Sequence, residues 1–280
     1  MTTTPADTTG VDVETVTVVI PYSEEYTPRA MLEEAVESVR KQVGLDVSIL
    51  VLGDDVANGP GEARNIGLER ANTRYVAFLD ADDVWHEDKL VRQLQRMQET
   101  GAGMCLEGPP DRSRTTLVRG LLAGEIRALT STIVVDTEKV DTRFDESLPR
   151  REDHLFMIQT ADKAGVCFVE DVYEERLHDG GLSHRVNKST EQVQAFFDRV
   201  VEAVPEAEQF RDQYFHDAYL YVGWCHHRDR AYRKALGCYR RSFEHGITVK
   251  AVGATGLTIL VGTARLPYSA GRHLLSNGST

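Results

Sequence analysis

Lysine is scarce in this chain. Seven of its 32 basic residues are Lys, against 44 Asp and Glu, for a formal net charge of −12. A surface of that sign does not neutralise a phosphate backbone, which argues against general nucleic-acid binding. Acid-rich, Lys-poor composition also fits a high-salt cytoplasm. Cysteine is sparse as well. Cys105, Cys167, Cys225 and Cys238 show no paired spacing, so no disulfide framework is expected, only buried thiols in a reducing compartment. Cys225-His226-His227 lacks a second ligand pair at zinc-finger spacing. Long apolar runs are missing too. Nothing reaches the roughly 18 residues of a membrane span; Thr258 to Leu266 comes nearest and is short. The first residues lack the basic start and apolar stretch of a secretion signal. A cytoplasmic protein is expected. Its 280 residues, 41% of them apolar, suffice for one large domain, or one domain with an appendage.

What is present begins after a Thr- and Asp-rich segment, residues 1–14, that reads as a disordered tail. Val16 to Ile20 is a continuous β-branched run, the pattern of a strand buried on both faces. A helix is expected over about Pro28 to Gln42, with Met31, Leu32, Ala35, Val36 and Val39 at helical spacing. Val47 to Leu52 is a second strand. Gly59-Pro60-Gly61 opens a helix through Ala71, Tyr75 to Leu79 is a third strand, and Glu87 to Glu99 is the next helix. A fourth apolar segment lies near Met104. Such alternation gives an α/β fold: a mainly parallel sheet flanked by helices.

Ligands of these sheets bind at the carboxyl ends of strands. Three strands here end in polar clusters: Tyr22-Ser23-Glu24, Gly53-Asp54-Asp55 and Asp80-Ala81-Asp82. Paired acids at a strand end suit a hard divalent cation, which takes oxygen ligands and shares them with substrate phosphates. The convergence of all three ends outweighs the reading of the acids as an ordinary helix cap.

Further on, Thr130 to Val135 reads as a strand, Asp153 to Ala164 as a helix with acids at its start, and Val166 to Val169 and Asp171 to Glu174 as short strands. After His178 the pattern is helical to about residue 265. Gly223, Ala235 and Tyr239 fall at the spacing of one tetratricopeptide-type hairpin, and a single hairpin is expected, not a repeat array. The expected organisation is a tail (1–14), an α/β domain (15–188) and a helical region (189–280).

Val18-Val-Ile-Pro-Tyr22, Gly61-Glu-Ala-Arg-Asn-Ile-Gly67, Ala77-Phe-Leu-Asp-Ala-Asp-Asp-Val-Trp85, Phe144-Asp-Glu-Ser-Leu followed by Glu152-Asp153, and Arg176-Leu-His178 occur in order. Together they resemble family 2 glycosyltransferases over roughly residues 14 to 185. The resemblance implies a nucleotide-binding GT-A fold and inverting sugar transfer from a nucleotide diphospho-sugar, with UDP or GDP. It implies a divalent metal, Mn2+ or Mg2+, held by Asp82 and Asp80 with His178 completing the site. Pro21, Tyr22, Glu24, Asp54 and Asp55 would line the donor nucleoside, joined by Ala81, Asp80 and Asp82. Arg64 stands where the family has a basic residue beside base or phosphate, and Asp153 where it has its catalytic carboxylate. The family's Asp-Asp-Gly-Ser loop reads Asp54-Asp55-Val56-Ala57 here, which leaves the base open.

Two other classes remain at this point. A sugar nucleotidyltransferase would want a Gly-rich, basic loop after strand one, where Pro21-Tyr-Ser-Glu-Glu25 stands. A non-catalytic sugar-nucleotide-binding protein would be expected to have lost Asp82 or Asp153. The acceptor is expected to be a glycan or lipid-linked sugar, met by residues from about Leu117 to Arg150 and the helical tail. Arg265, Arg272 and His273 beside Leu266, Leu274 and Leu275 suggest peripheral contact with the inner face of a membrane.

Overall fold

The computed structural model describes residues 14–126, 130–148, 150–174, 176 and 189–263. It divides into two compact units, Met1–Arg185 and Val186–Thr280.

The first unit is built on β1 (Thr15–Pro21), in which Val16 to Ile20 are all buried. Each apolar side chain so removed from water is worth about 1.5–3 kcal/mol. β1 lies between β2 (Asp46–Leu52) and β3 (Tyr75–Phe78) and pairs with both in parallel, Val19 standing opposite Leu50 and Phe78. Two crossover helices make that possible: α1 (Arg29–Arg40) and α2 (Pro60–Arg70). Gly67 of α2 explains one glycine of the motif. A Cβ there would lie 2.4 Å from Val19 Cγ1, so only glycine lets the helix approach β1 this closely.

The sheet has six strands in the order β2-β1-β3-β6-β5-β7. β5 (Met104–Glu107) and β7 (Val166–Val169) pair in parallel, while β6 (Val134–Asp136) runs antiparallel to both β3 and β5. β4 (Val84–Trp85) and β8 (Tyr173–Glu174) form a separate two-stranded ribbon. α3 (Lys89–Thr100), α4 (Arg114–Ala123) and α5 (Glu152–Ala164) complete the unit. The single strand expected over Thr130 to Val135 is a correction. Thr130–Thr132 is a buried 3-10 turn, and only Val134–Asp136 is strand. The reason is Ser131, whose polar atoms serve the loop beyond β3 and not a ladder.

The second unit holds α6 (Thr190–Ala203), a 3-10 segment (Pro205–Phe210), α7 (Arg211–Arg228), α8 (Tyr232–His245) and α9 (Val249–Thr263). α7 and α8 form an antiparallel hairpin. His245 meets Asp212 at 3.0 Å at one end, and the Ser242 carbonyl meets His216 Nδ1 at 3.1 Å. Near the other end a Cβ on Gly223 would lie 2.3 Å from the buried Tyr239 ring. α9 runs alongside α7, with Thr248 and Thr258 reaching His216 (3.1 Å) and His227 (2.6 Å). No helix among the described residues is long and apolar enough to cross a membrane. All four cysteines are free and buried.

Candidate active site

Because β1, β2 and β3 are parallel neighbours, their carboxyl ends share one edge of the sheet. At the β1 and β2 ends, the Tyr22 N–H donates to the Leu52 carbonyl at 2.9 Å. Gly53 turns the chain there. A Cβ on it would lie 2.9 Å from Asp55 Oδ1 and 3.9 Å from the Tyr22 carbonyl. Pro21 and Tyr22 are half-buried, and Glu24, Asp54 and Asp55 are exposed. The acids are therefore presented to solvent on a turn tied to β1.

The loop after β3 is braced from several sides. The Asp83 N–H donates to the Asp80 carbonyl at 3.0 Å, closing a tight turn around the buried Ala81. Ser131 Oγ accepts from the Asp80 N–H at 3.0 Å and donates to Asp83 Oδ2 at 2.5 Å. Its carbonyl accepts from Trp85 Nε1 at 2.8 Å. Arg176 Nε donates to the Asp82 carbonyl at 2.8 Å, while its guanidinium pairs with Glu34 of α1 and reaches the Met31 carbonyl at 3.2 Å. Ser131 lies in the stretch expected to meet the acceptor and Arg176 in a motif, but neither was expected at the donor or metal site.

Arg64, on α2, joins this loop to the start of α5. Its guanidinium is buried and forked: one nitrogen lies 2.8 Å from Asp80 Oδ1, the other 2.9 Å from Glu152 Oε1. Arg64 thus stands on the acid side of the edge, over the Phe144 ring. The next residue of the same motif, Asn65, holds the Phe144 segment by bonds of 2.8 and 2.9 Å to its backbone and 2.8 Å to Glu146. The Gly-Glu-Ala-Arg-Asn stretch is therefore a bracket between two acid-bearing segments. Asp153, adjacent to Glu152, accepts from the His154 N–H at 2.8 Å and meets His154 Nδ1 at 3.0 Å. Arg151, at the entry to α5, has φ 64, a left-handed conformation costly for a residue with a side chain. Such strain gathers at functional sites.

Charge in this region is unbalanced. Burial pushes the Asp83 carboxyl up to about 7, and Asp80 and Asp82 add to the rise against the Ser131 hydrogen bond. Burial also raises Asp80, where Arg64 pulls down but Asp82 and Asp153 push up. Glu152 is raised by burial and by Asp153. Asp153 goes the other way. Burial works against its charge, but His154 and then Arg64 outweigh it and hold the carboxyl below its usual range. The region thus carries more carboxylate charge than Arg64 neutralises. A hard cation on carboxylate oxygens would relieve that excess, so the donor set fits a divalent metal. Asp80 and Asp82 are the pair expected from the sequence, and Asp80 already accepts from Arg64 through Oδ1. His178 lies outside the described residues, and among those described no group of three His, Cys, Asp or Glu side chains is arranged around one point.

A mostly parallel sheet flanked by helices, with acids gathered at its carboxyl edge, is a GT-A-type arrangement. Solved structures agree on the fold. S. aureus TarS 1-349 in complex with UDP aligns with TM-score 0.56 at 13% identity, over 91% of this chain and 93% of that one. The mannosyltransferase PcManGT from Pyrobaculum calidifontis, in complex with GDP-Man and Mn2+, aligns with TM-score 0.54 at 16% identity, over 88% and 80%. In sequence, the family model "Glycosyl transferase family 2" matches residues 55–156. The amylovoran biosynthesis glycosyltransferase AmsB of Erwinia amylovora is 36% identical over 165 residues, 49% of this chain and 52% of that protein. The match thus spans about half the length of that relative. The succinoglycan biosynthesis protein ExoO of Rhizobium meliloti is 24% identical over 89% of this chain and 81% of its own length. Residues 55–156 are thus similar to glycosyl transferase family 2, and the solved neighbours share the fold.

Proposed function

We propose that the chain transfers a sugar from a UDP- or GDP-sugar to an acceptor hydroxyl with inversion, in surface polysaccharide or glycan assembly on a lipid-linked acceptor. The catalytic domain would be residues 15–188, working in the cytoplasm or at the inner face of its membrane. One observation carries this reading above the others: Arg64 ties Asp80 at 2.8 Å and Glu152 at 2.9 Å. A donor-holding acid and the residue beside the proposed base thereby share one buried guanidinium.

In that reaction the acceptor oxygen attacks the anomeric carbon on the face opposite the diphosphate. The bond from carbon to diphosphate breaks as the new glycosidic bond forms. Asp153, kept ionised by His154 and Arg64, takes the hydroxyl proton. Its low basicity favours proton acceptance late, when the hydroxyl has become acidic through bond formation. Asp54, Asp55, Tyr22, Pro21 and Glu24 would face the nucleoside, and Arg64, Ala81, Asp80 and Asp82 would form the floor under the diphosphate. Asp82 and Asp80, with His178, would hold a divalent cation such as Mn2+ or Mg2+, which when bound neutralises charge on the leaving diphosphate. The relatives named for amylovoran and succinoglycan biosynthesis support a polysaccharide setting. The neighbours solved with UDP and with GDP-Man and Mn2+ support a nucleotide donor and a metal. The test is a thermal-shift screen of nucleotide sugars with and without Mn2+. A metal-dependent rise in Tm with one UDP- or GDP-sugar is expected; no response to any nucleotide sugar would overturn the reading.

A further inference from the structure

The net charge of −12 conceals a division. From His226 to the end the chain carries nine Lys and Arg but only two Asp and Glu. Residues 189–225, in the same helical region, carry two and seven. The antiparallel hairpin gathers cations at one of its ends, where Asp229 is the one acid among them. Asp212 lies at the end where α7 begins and α8 finishes. Arg228, Arg230, Arg233 and Lys234 are exposed around the opposite turn. Trp224, also exposed, stacks on His227 one turn away, with ring centroids 5.2 Å apart.

Beside that turn lies the second half of α9, placed there by the contact of Thr258 with His227. Lys250 is the single charged residue of α9. The helix buries small side chains, Ala251 and Thr258, and turns larger ones to solvent: Val249 is 91% exposed, Val252 53% and Leu257 43%. Small side chains therefore hold this helix inward, Ala251 against Leu220, Ala235 and Tyr239 and Thr258 on His227, while its larger apolar side chains face out, which is unlike an ordinary surface helix. At 15 residues it is about 22 Å long, too short for a hydrocarbon core of roughly 30 Å.

We propose that the outer face of α9 and the basic α7–α8 turn beside it seat on an anionic lipid bilayer, with α9 lying in the plane of the interface. The chemistry is complementary at each level. Apolar side chains enter the acyl boundary, the exposed Trp224 suits the headgroup layer, and Arg228, Arg230, Arg233 and Lys234 meet anionic headgroups. A second copy of the chain is a poorer occupant, because a two-fold contact through this patch sets the same cations against each other. A soluble polyanion would answer the charges but not the apolar face. The inference concerns where the proposed transfer takes place, and vesicle binding is read without donor or acceptor, so its failure is separable from failure of the transfer reading.

The test is co-sedimentation of the full chain with phosphatidylcholine vesicles containing 30% phosphatidylglycerol, against pure phosphatidylcholine, at low and high salt. Binding is expected only to the anionic vesicles and is expected to weaken with salt. Reversing Arg228, Arg230, Arg233 and Lys234 to Glu should weaken it about 30-fold or more. Val252→Glu with Leu257→Glu should also abolish it, with circular dichroism unchanged because both side chains are already exposed. Equal binding to neutral and anionic vesicles, or none to either, would overturn the proposal. So would salt-sensitive binding to heparin that survives Val252→Glu/Leu257→Glu, which would mark a polyanion site. A concentration-dependent dimer that this double variant dissolves would assign the face to a second copy instead.

Discussion

The Asp80–Asp83 turn, with three acids, and the Glu152–Asp153 helix start, with two, are both clusters of buried or half-buried carboxyls, and both touch Arg64, yet they hold their protons differently. In the turn, carboxylates crowd one another, and burial drives Asp83 up to about 7. At the helix start, burial is outweighed at Asp153 by His154 and Arg64, so that carboxyl stays below its usual range. The same residue type is thus set for two tasks. The turn accumulates negative charge that a cation can relieve, while Asp153 remains ionised without one. Glu152 takes the guanidinium and leaves Asp153 next to it, at the entry to α5. The lesson is that acid count does not define the site; the placement of one arginine and one histidine does.

The sharpest way to break this comparison is at Asp153. Asp153→Asn keeps the shape and removes the proposed proton acceptor, so turnover should fall about 100-fold or more while donor affinity changes little. Steady-state kinetics beside donor titration will show it. Near-normal turnover would reduce Asp153 to a helix-start residue.

The link between the two regions comes next. Arg64→Met leaves the half-buried Asp80 and Glu152 without their cation, a loss of about 1–3 kcal/mol, less than for a fully buried pair because water reaches Asp80. Chemical denaturation measures it. A variant as stable as the parent would mean the bridge carries no net energy. Arg64→Lys, unable to fork to both acids, should fall between the two.

The smallest expected effect concerns Asp83. Its folded pKa lies above its unfolded value, so the folded state binds the extra proton between about pH 4 and 7. Stability from this group is complete below pH 4 and is lost as pH rises through 7. In chelator, Tm should therefore fall by about 5 °C between pH 5 and 8, and Asp83→Asn should flatten that slope. A slope unchanged in Asp83→Asn would place the titration elsewhere.

Much of the first unit was legible in its residues. The β-branched run Val16 to Ile20 is buried as such a run should be, and the three acid-ended strands share one edge because they are parallel neighbours. What escaped is non-local. Ser131 reads as part of a strand by its neighbours Ile133, Val134 and Val135. Only the antiparallel passage of β6 beside β3 brings its hydroxyl between Asp80 and Asp83. The sequence shows Glu152 beside Asp153 but not its pairing with Arg64, 88 residues away. Arg176 was visible within a motif, yet its grip on the Asp82 carbonyl spans 94 residues. Periodicity carries no signal for such contacts. The two ion pairs of Arg64 with Asp80 and Glu152 likewise join segments far apart in the sequence.

The most direct measurement is calorimetric titration of UDP and GDP into the wild type, Asp82→Ala and Asp153→Asn, each in Mn2+ and in chelator. Binding to the wild type in Mn2+, its loss in chelator and in Asp82→Ala, and its survival in Asp153→Asn are the expected results. Full affinity of Asp82→Ala in chelator, or loss of nucleotide binding in a folded Asp153→Asn, would contradict the division of labour between the two acid regions.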